Sequence, residues 1–339
     1  ENRTVVSRVL PSLFRDSQTM RLAGFFQTVR ETLSQLASDL TDSPRIVVLT
    51  PGAYSSTYFE QAYLANHLGY PLVQGGDLTV RNGKVWMKSL NGLSRVDVIL
   101  RRVEDAYCDQ AELRSDSSLG VPGLLEVARQ GNVIIANPLG TGLLETPALL
   151  AFLPQISQTL LNETLLLPSV TSYWCGEQEH LAYVLNNLQQ LIIKPAFRSI
   201  DNKSIYCHQL DEKALSEVRA KILADQVAYV AQDYIPGSVT PVWDNGEMLA
   251  RPCILRTFSV ANESGYCIMP GGLSRVAEST AEAIVSKNLS GSRSKDMWVL
   301  SDTTETDIDV LLDNLPMSQA QVANAMDGSC PLARSPRQT

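Results

Sequence analysis

"RIVVLTPGAYSSTYFEQAYLANHLGYPLVQGGDL", residues 45–78, decides the fold. Its first eight residues read as a buried apolar strand ending in a glycine turn. "STYFEQAYLANHLGY" follows with Tyr58, Ala62, Leu64 and Leu68 in the apolar set of a helix, and "PLVQGGDL" returns to a short strand. Strand, helix and strand at this spacing form a βαβ unit, which requires a parallel pair joined by a right-handed crossover.

Working outward, "MRLAGFFQTVRETLSQLASDL" (20–40) carries helical periodicity. Downstream, Asn82-Gly83 sits between alternating runs in "LTVRNGKVWMK", the mark of a hairpin with a type I′ turn. "VDVILRRVED" and "NVIIANPLGTG" read as buried strands, with "GVPGLLEVARQ" as the helix between them. This alternation, to about residue 175, predicts an open parallel Rossmann-like layer. Beyond it, "LAYVLNNLQQ" is a helix feeding the strand "LIIKPAF". The periodic helix "LDEKALSEVRAKILAD" separates "SIYCHQL" from "VAYVAQDYI". "EMLARPCILRTFSVA" and "YCIMPGGLSRVA" read as one antiparallel hairpin turning at "NESG", so the second half is α+β. The expected divisions are a helical lead-in over 1–44, the parallel domain over 45–175, a second region over 176–301, and a linker or disordered tail over 302–339. The ends of the chain read as those of a piece of something longer.

The 339 residues exceed one ordinary core. A net charge of −8 argues against a nucleic-acid-coating surface. No apolar run approaches the ~20 residues of a membrane span. Six scattered cysteines and three separated histidines form no zinc-like motif, so reduced thiols in the cytoplasm are expected and no metal ligand is assigned. Cys175 reads as a packed cysteine rather than a nucleophile. No G-x-G-x-x-G follows a strand, which removes a Rossmann-type oxidoreductase.

Two groups of residues carry chemistry. At the carboxyl ends of parallel strands, where ligands collect, stand Gly52, Tyr58, Glu60, Arg101, Arg102 and Asn137. In the second half, Lys194 closes an apolar strand, and a lysine there either reaches water or meets an anion. Lys194, Arg251, Arg256, Arg275 and Lys295 stand beside strand ends or glycine turns and would suit a polyphosphate.

In order, "TPGAYSSTYFEQAYLA", "VDVILRRVEDAYCD", "DSSLGVPGLLEVARQGNVIIANPLGTGLLE", "LLLPSVTSYWCG", "LIIKPAF", "YVAQDYIPGSVTPVW", "RPCILRTFSVA", "YCIMPGGLSRVA" and "SKDMWVL" resemble the circularly permuted ATP-grasp family, over residues 1 to about 301. The resemblance implies a Rossmann-like pre-ATP-grasp domain followed by an ATP-grasp domain. It implies an ADP-forming, peptide-bond-forming carboxylate–amine ligase using ATP and Mg²⁺ through an acyl phosphate, with a catalytically inactive nucleotide-binding module as the alternative. It places Lys194 on the phosphates and Gln232, Asp233, Tyr234 and Ile235 at the adenine and ribose. Arg256, with Arg251 close by, points at the phosphates, and Arg275 and the Ser294-Lys295-Asp296 turn fall in the same motif blocks. Arg256 and Lys295 are the expected catalytic pair. Small or peptide-like carboxylate and amine substrates are implied as partners, with an alpha-E domain protein, separate or fused. The family's metal-binding Glu and Asn lie in a segment upstream of Glu1-Asn2-Arg3, so a chain starting here would turn over little ATP. "SGSRSKD" also departs from the family's usual run of glycines.

Overall fold

A computed structural model describes residues 2–197, 204–277 and 293–301. Three helices lead in: α1 (Asn2–Val9), α2 (Pro11–Asp16) and α3 (Ala23–Gln35). β1 (Ile46–Leu49) is buried at every position, as a strand covered on both faces must be. α4 (Tyr58–Leu68) then crosses to β2 (Leu72–Val73), which pairs with β1 in parallel. The βαβ reading is thus observed.

β3 (Leu78–Arg81) and β4 (Lys84–Ser89) form the expected hairpin. Asn82 and Gly83 have φ of 52° and 65°, the two positive values a type I′ turn needs. A strand the sequence reading missed, β5 (Gly92–Val96), adds to β4 and makes a three-stranded meander. β6 (Val98–Arg101), α5 (Leu124–Arg129) and β7 (Ile134–Ala136) complete the parallel sheet in the order β2-β1-β6-β7. Strand alternation divides its side chains. Val47, Leu49, Ile99 and Ile135 pack with Val85 and Val96 of the meander and with Leu124 and Val127 of α5. Ile46, Val98 and Ala136 pack on the other face with Leu33 and Ala37 at the end of α3.

α6 (Leu149–Leu161), with Pro154 inside it, was not anticipated. β8 (Ser172–Trp174), α7 (Gln178–Asn187), β9 (Leu191–Pro195), β10 (Ile205–Tyr206), α8 (Glu212–Ala224) and β11 (Tyr229–Asp233) build an antiparallel sheet in the order β10-β9-β11-β8. β8 lies ahead of residue 176, so this sheet takes its edge strand from within the 45–175 span. Leu191, Ile193 and Ala231 face a core closed by Val184 of α7 and by Val218 and Ile222 of α8.

The last sheet has the order β12-β13-β16-β17, with β12 (Val239–Asp244), β13 (Glu247–Arg256), β16 (Gly271–Val276) and β17 (Arg293–Trp298). Between β13 and β16, β14 (Ser259–Asn262) and β15 (Gly265–Ile268) form a separate ribbon. The long hairpin expected here is observed, turning at 263–264, with its ladder interrupted between the β13–β16 and β14–β15 pairs. Ser294-Lys295-Asp296, expected as a turn, lies within β17 and pairs with β16. The expected tail, 302–339, lies outside the described residues. Among those described, no helix is long and apolar enough to cross a membrane.

Candidate functional site

The opposite face of the β10-β9-β11-β8 sheet carries Lys194. Leu191 and Ile193 are buried in the core, so alternation turns Ile192 and Lys194 outward. Lys194 is half-buried, and desolvation lowers its pKa. Its hydrogen-bond partner is a neutral group: the ammonium donates to Gln232 Oε1. No carboxylate among the described residues contributes to its shift. A desolvated cation held by a neutral amide is an electrostatic vacancy for an anion.

Gln232 is therefore on this face, but Asp233 is not. Asp233 follows it on the strand, pairs with Leu191, and with Tyr183 raises the pKa of Tyr173 beyond what burial does. The expectation that both side chains border the nucleoside is corrected by the period of the strand. Tyr234 is exposed, its ring 4.0 Å from that of His208 at an angle of 36°. Ile235 is exposed beside it.

The cationic residues of the last sheet divide in the same way. Arg251 and Arg256 stand five apart on β13, so they leave it on opposite faces. Pairing extends the division: Leu255, Ser274 and Lys295 share the Arg251 face, while Ile254, Arg275 and Ser294 share the Arg256 face. The sheet curls so far that Lys295 Nζ donates to Thr240 Oγ1 at 3.0 Å and to the Pro241 carbonyl, three strands away. Asp244 takes Arg251 at 3.7 Å and Arg293 at 3.3 Å. A cleft of about 940 Å³ opens between this face and α1, lined by Asn2, Thr240, Cys253, Ser274 and Lys295 among others. The expected single cluster of five cations is thus at least two groups. Arg256 is exposed beside Arg275 on one face, and Arg251, already facing a carboxylate, shares the other with Lys295.

At the parallel sheet's carboxyl edge the expected residues also separate. Gly52 has φ +100°, and a Cβ there would sit 2.8 Å from Gln74 Oε1, so its role is in the backbone. Arg101 is spent: it donates to the carbonyls of Asn137 (3.2 Å), Val103 (2.6 Å) and Pro138 (3.2 Å) and pairs with Asp105 at 2.5 Å, with 8% of its side chain exposed. Asn137 contributes that carbonyl from a left-handed φ of 54°. Arg102 and Glu60 remain open. Arg102 is exposed; desolvation by the surrounding protein lowers its pKa, and the Glu60 carboxylate opposes this. Tyr58 begins α4 one turn from that edge. Cys175 is fully buried, and burial raises its thiol pKa to about 11, so it is no nucleophile.

The described residues contain no group of three or more His, Cys, Asp or Glu that could hold a metal. Among the described residues, the Lys194 face offers Gln232, Ser172 and Tyr206 beside the lysine and no carboxylate, a donor set that does not fit Mg²⁺. It does fit a nucleotide phosphate. Sequence reasoning assigned no role to Ser172, whose signal is its register opposite Gln232. It also passed over Asp109, fully buried, whose carboxylate accepts from the amides of Ala111, Gly123 and Leu125.

An uncharacterized protein of Mycobacterium tuberculosis is 40% identical over 298 residues, 88% of this chain and 33% of its own length. One from Synechocystis is 34% identical over 305 residues, 90% of this chain and 63% of its own length. The chain thus spans less than two thirds of either relative. Among solved structures, the glutathione synthetase-like effector of Globodera pallida aligns with 81% of this chain and 61% of its own, at 13% identity and a TM-score of 0.45. D-alanyl-alanine synthetase A from Vibrio cholerae aligns with 84% of this chain and 79% of its own, at 8% identity and a TM-score of 0.37. The family model described as circularly permuted ATP-grasp type 2 matches residues 1–277, and the chain belongs to that family.

Proposed function

We propose that the chain binds ATP on the Lys194 face and is the nucleotide-binding part of an ADP-forming ligase that joins a carboxylate to an amine through an acyl phosphate. Membership of the ATP-grasp family supports the reaction class. The observation that carries the reading is the half-buried Lys194 ammonium, held by an amide and facing no acid among the described residues. Lys194 neutralises phosphate oxygens, and the exposed Tyr234 and Ile235 border the base. Arg256, exposed on β13, is the second cation we assign to the phosphates. The chain's work is placement and charge stabilisation. Arg102 and Glu60, one of each sign at the edge of the parallel sheet, are the groups we assign to the acceptor; Arg101 and Gly52 are released from that role.

Titration calorimetry with ADP tests the reading. Lys194→Ala is expected to weaken binding by about 1.5–3 kcal/mol, the range for a charged hydrogen bond. Unchanged affinity removes the assignment. A second reading, a nucleotide-binding module without turnover, is favoured by the lack of any carboxylate on the Lys194 face among the described residues. Release of ADP on adding any carboxylate and amine would exclude it.

A further inference from the structure

Gln232 Oε1 accepts from the Lys194 ammonium, and Gln232 Nε2 donates to Ser172 Oγ at 2.9 Å. The three side chains cross β9, β11 and β8 in a row, because Gln232 stands in register with both Ile192 and Ser172. Ser172 donates its own proton to the Val170 carbonyl at 3.0 Å, so its oxygen can only accept from the amide. That fixes which end of the amide meets the lysine. Gln232 is 4% exposed and cannot turn out to water.

Among the described residues, the rest of the face leaves the lysine's charge intact. Ile192, Val230 and Trp174 share it, and Tyr206 of β10 is its ionisable neighbour by register. α6, whose Phe152 packs its ring 5.9 Å from that of Trp174, carries no ionisable side chain. A glutamate at 232 would have the same shape and would hold the lysine more tightly, but it would cancel its charge.

We propose that Gln232 is a positioning residue, oriented by Ser172, that holds the Lys194 ammonium without neutralising it so that the charge stays available to an anionic phosphate. This rests on the nucleotide assigned to this face above. Calorimetry with ADP across pH separates the two. Gln232→Glu is expected to lower ADP affinity by about tenfold or more, the cost of pairing off one charged hydrogen bond. It should also move the pH at which ADP binding falls away upward, because a carboxylate raises the lysine's pKa. Ser172→Ala should weaken ADP in the same direction by a smaller factor. Should Gln232→Glu fail to fold, Gln232→Leu, which cannot accept, is expected to weaken ADP with no upward shift of that pH. Unchanged ADP affinity in the folded position-232 variant, while Lys194→Ala still loses binding, overturns the inference and leaves the nucleotide site standing. Unchanged affinity in Lys194→Ala removes the site and the inference together.

Discussion

A lysine with a depressed pKa is a cost to the ligand-free fold, and the sign follows from linkage. Burial lowers the Lys194 pKa below its ordinary value, so between the two values the unfolded chain binds more protons than the folded one. Stability from this group therefore rises with pH through that window and is least below it. Lys194→Met, which keeps the stem, should melt higher than the wild type without nucleotide and lose the further rise that ADP gives. A lower melting temperature would mean that the Gln232 contact outweighs desolvation. The two adjacent arginines make the opposite contrast. Arg101→Ala takes a donor from three carbonyls and the cation from Asp105, which keeps the Gly140 and Gly142 amides, and should cost about 1–3 kcal/mol in urea unfolding. Arg102→Ala should stay within about 0.5 kcal/mol and act on acceptor binding instead. Sequence alone treated the pair alike. That one of two neighbours on a strand faces a covered layer is legible; which one is already satisfied depends on a loop some 36 residues away.

Among elements, Asp109 shows how a loop is made rigid. Its carboxylate takes three backbone amides, two of them (Gly123 and Leu125) at the start of α5. These are donors a helix cannot satisfy within itself. Asp109→Ala should lower stability by about 2–4 kcal/mol. Hydrogen exchange should speed first at Gly123 and Leu125; protection unchanged there would refute the anchor. Local chemistry made much of the fold readable. Asn82-Gly83 admits few turns, and the run Ile46–Leu49 with its glycine turn and helix admits few units. β5 escaped because "NGLSRV" offers a glycine and polar residues, and its strand state comes from pairing with β4. α6 escaped because Pro154 stands inside it. The break in the ladder between the β13–β16 and β14–β15 pairs escaped because β14 and β15 are fixed partly by α3. Thr32 donates to the Ala261 carbonyl at 3.0 Å and Gln35 to Glu263 at 3.1 Å, more than 200 residues apart.

Across the whole molecule, the first described helix completes the last described strand. Arg3 Nε meets Asp296 Oδ2 at 2.5 Å, its other nitrogens donate to the Met20 and Met297 carbonyls, and Trp298 Nε1 donates to the same carboxylate at 2.7 Å. The segments continue the union: Met20 N donates to the Val299 carbonyl at 2.8 Å and Ser301 N to that of Gln18 at 2.9 Å. The helical lead-in thus packs on the sheet that carries Arg256 and Lys295, as a permuted order of segments requires. The Arg3–Asp296 pair closes a loop of 293 residues, and contacts at such separation wait for the rest of the chain to be ordered. They contribute little to the folding transition state and act on the way out. Arg3→Ala leaves a buried carboxylate with one donor fewer, a loss of about 3–5 kcal/mol at full burial. The loss should appear as faster unfolding, with the refolding rate changed by less than about threefold. Stopped-flow unfolding and refolding of Arg3→Ala and Asp296→Ala check this, and a double variant should be less than additive because the two share one contact. Slowed refolding in either single variant would place this junction early, and α1 would then be part of the nucleus that the last sheet folds around.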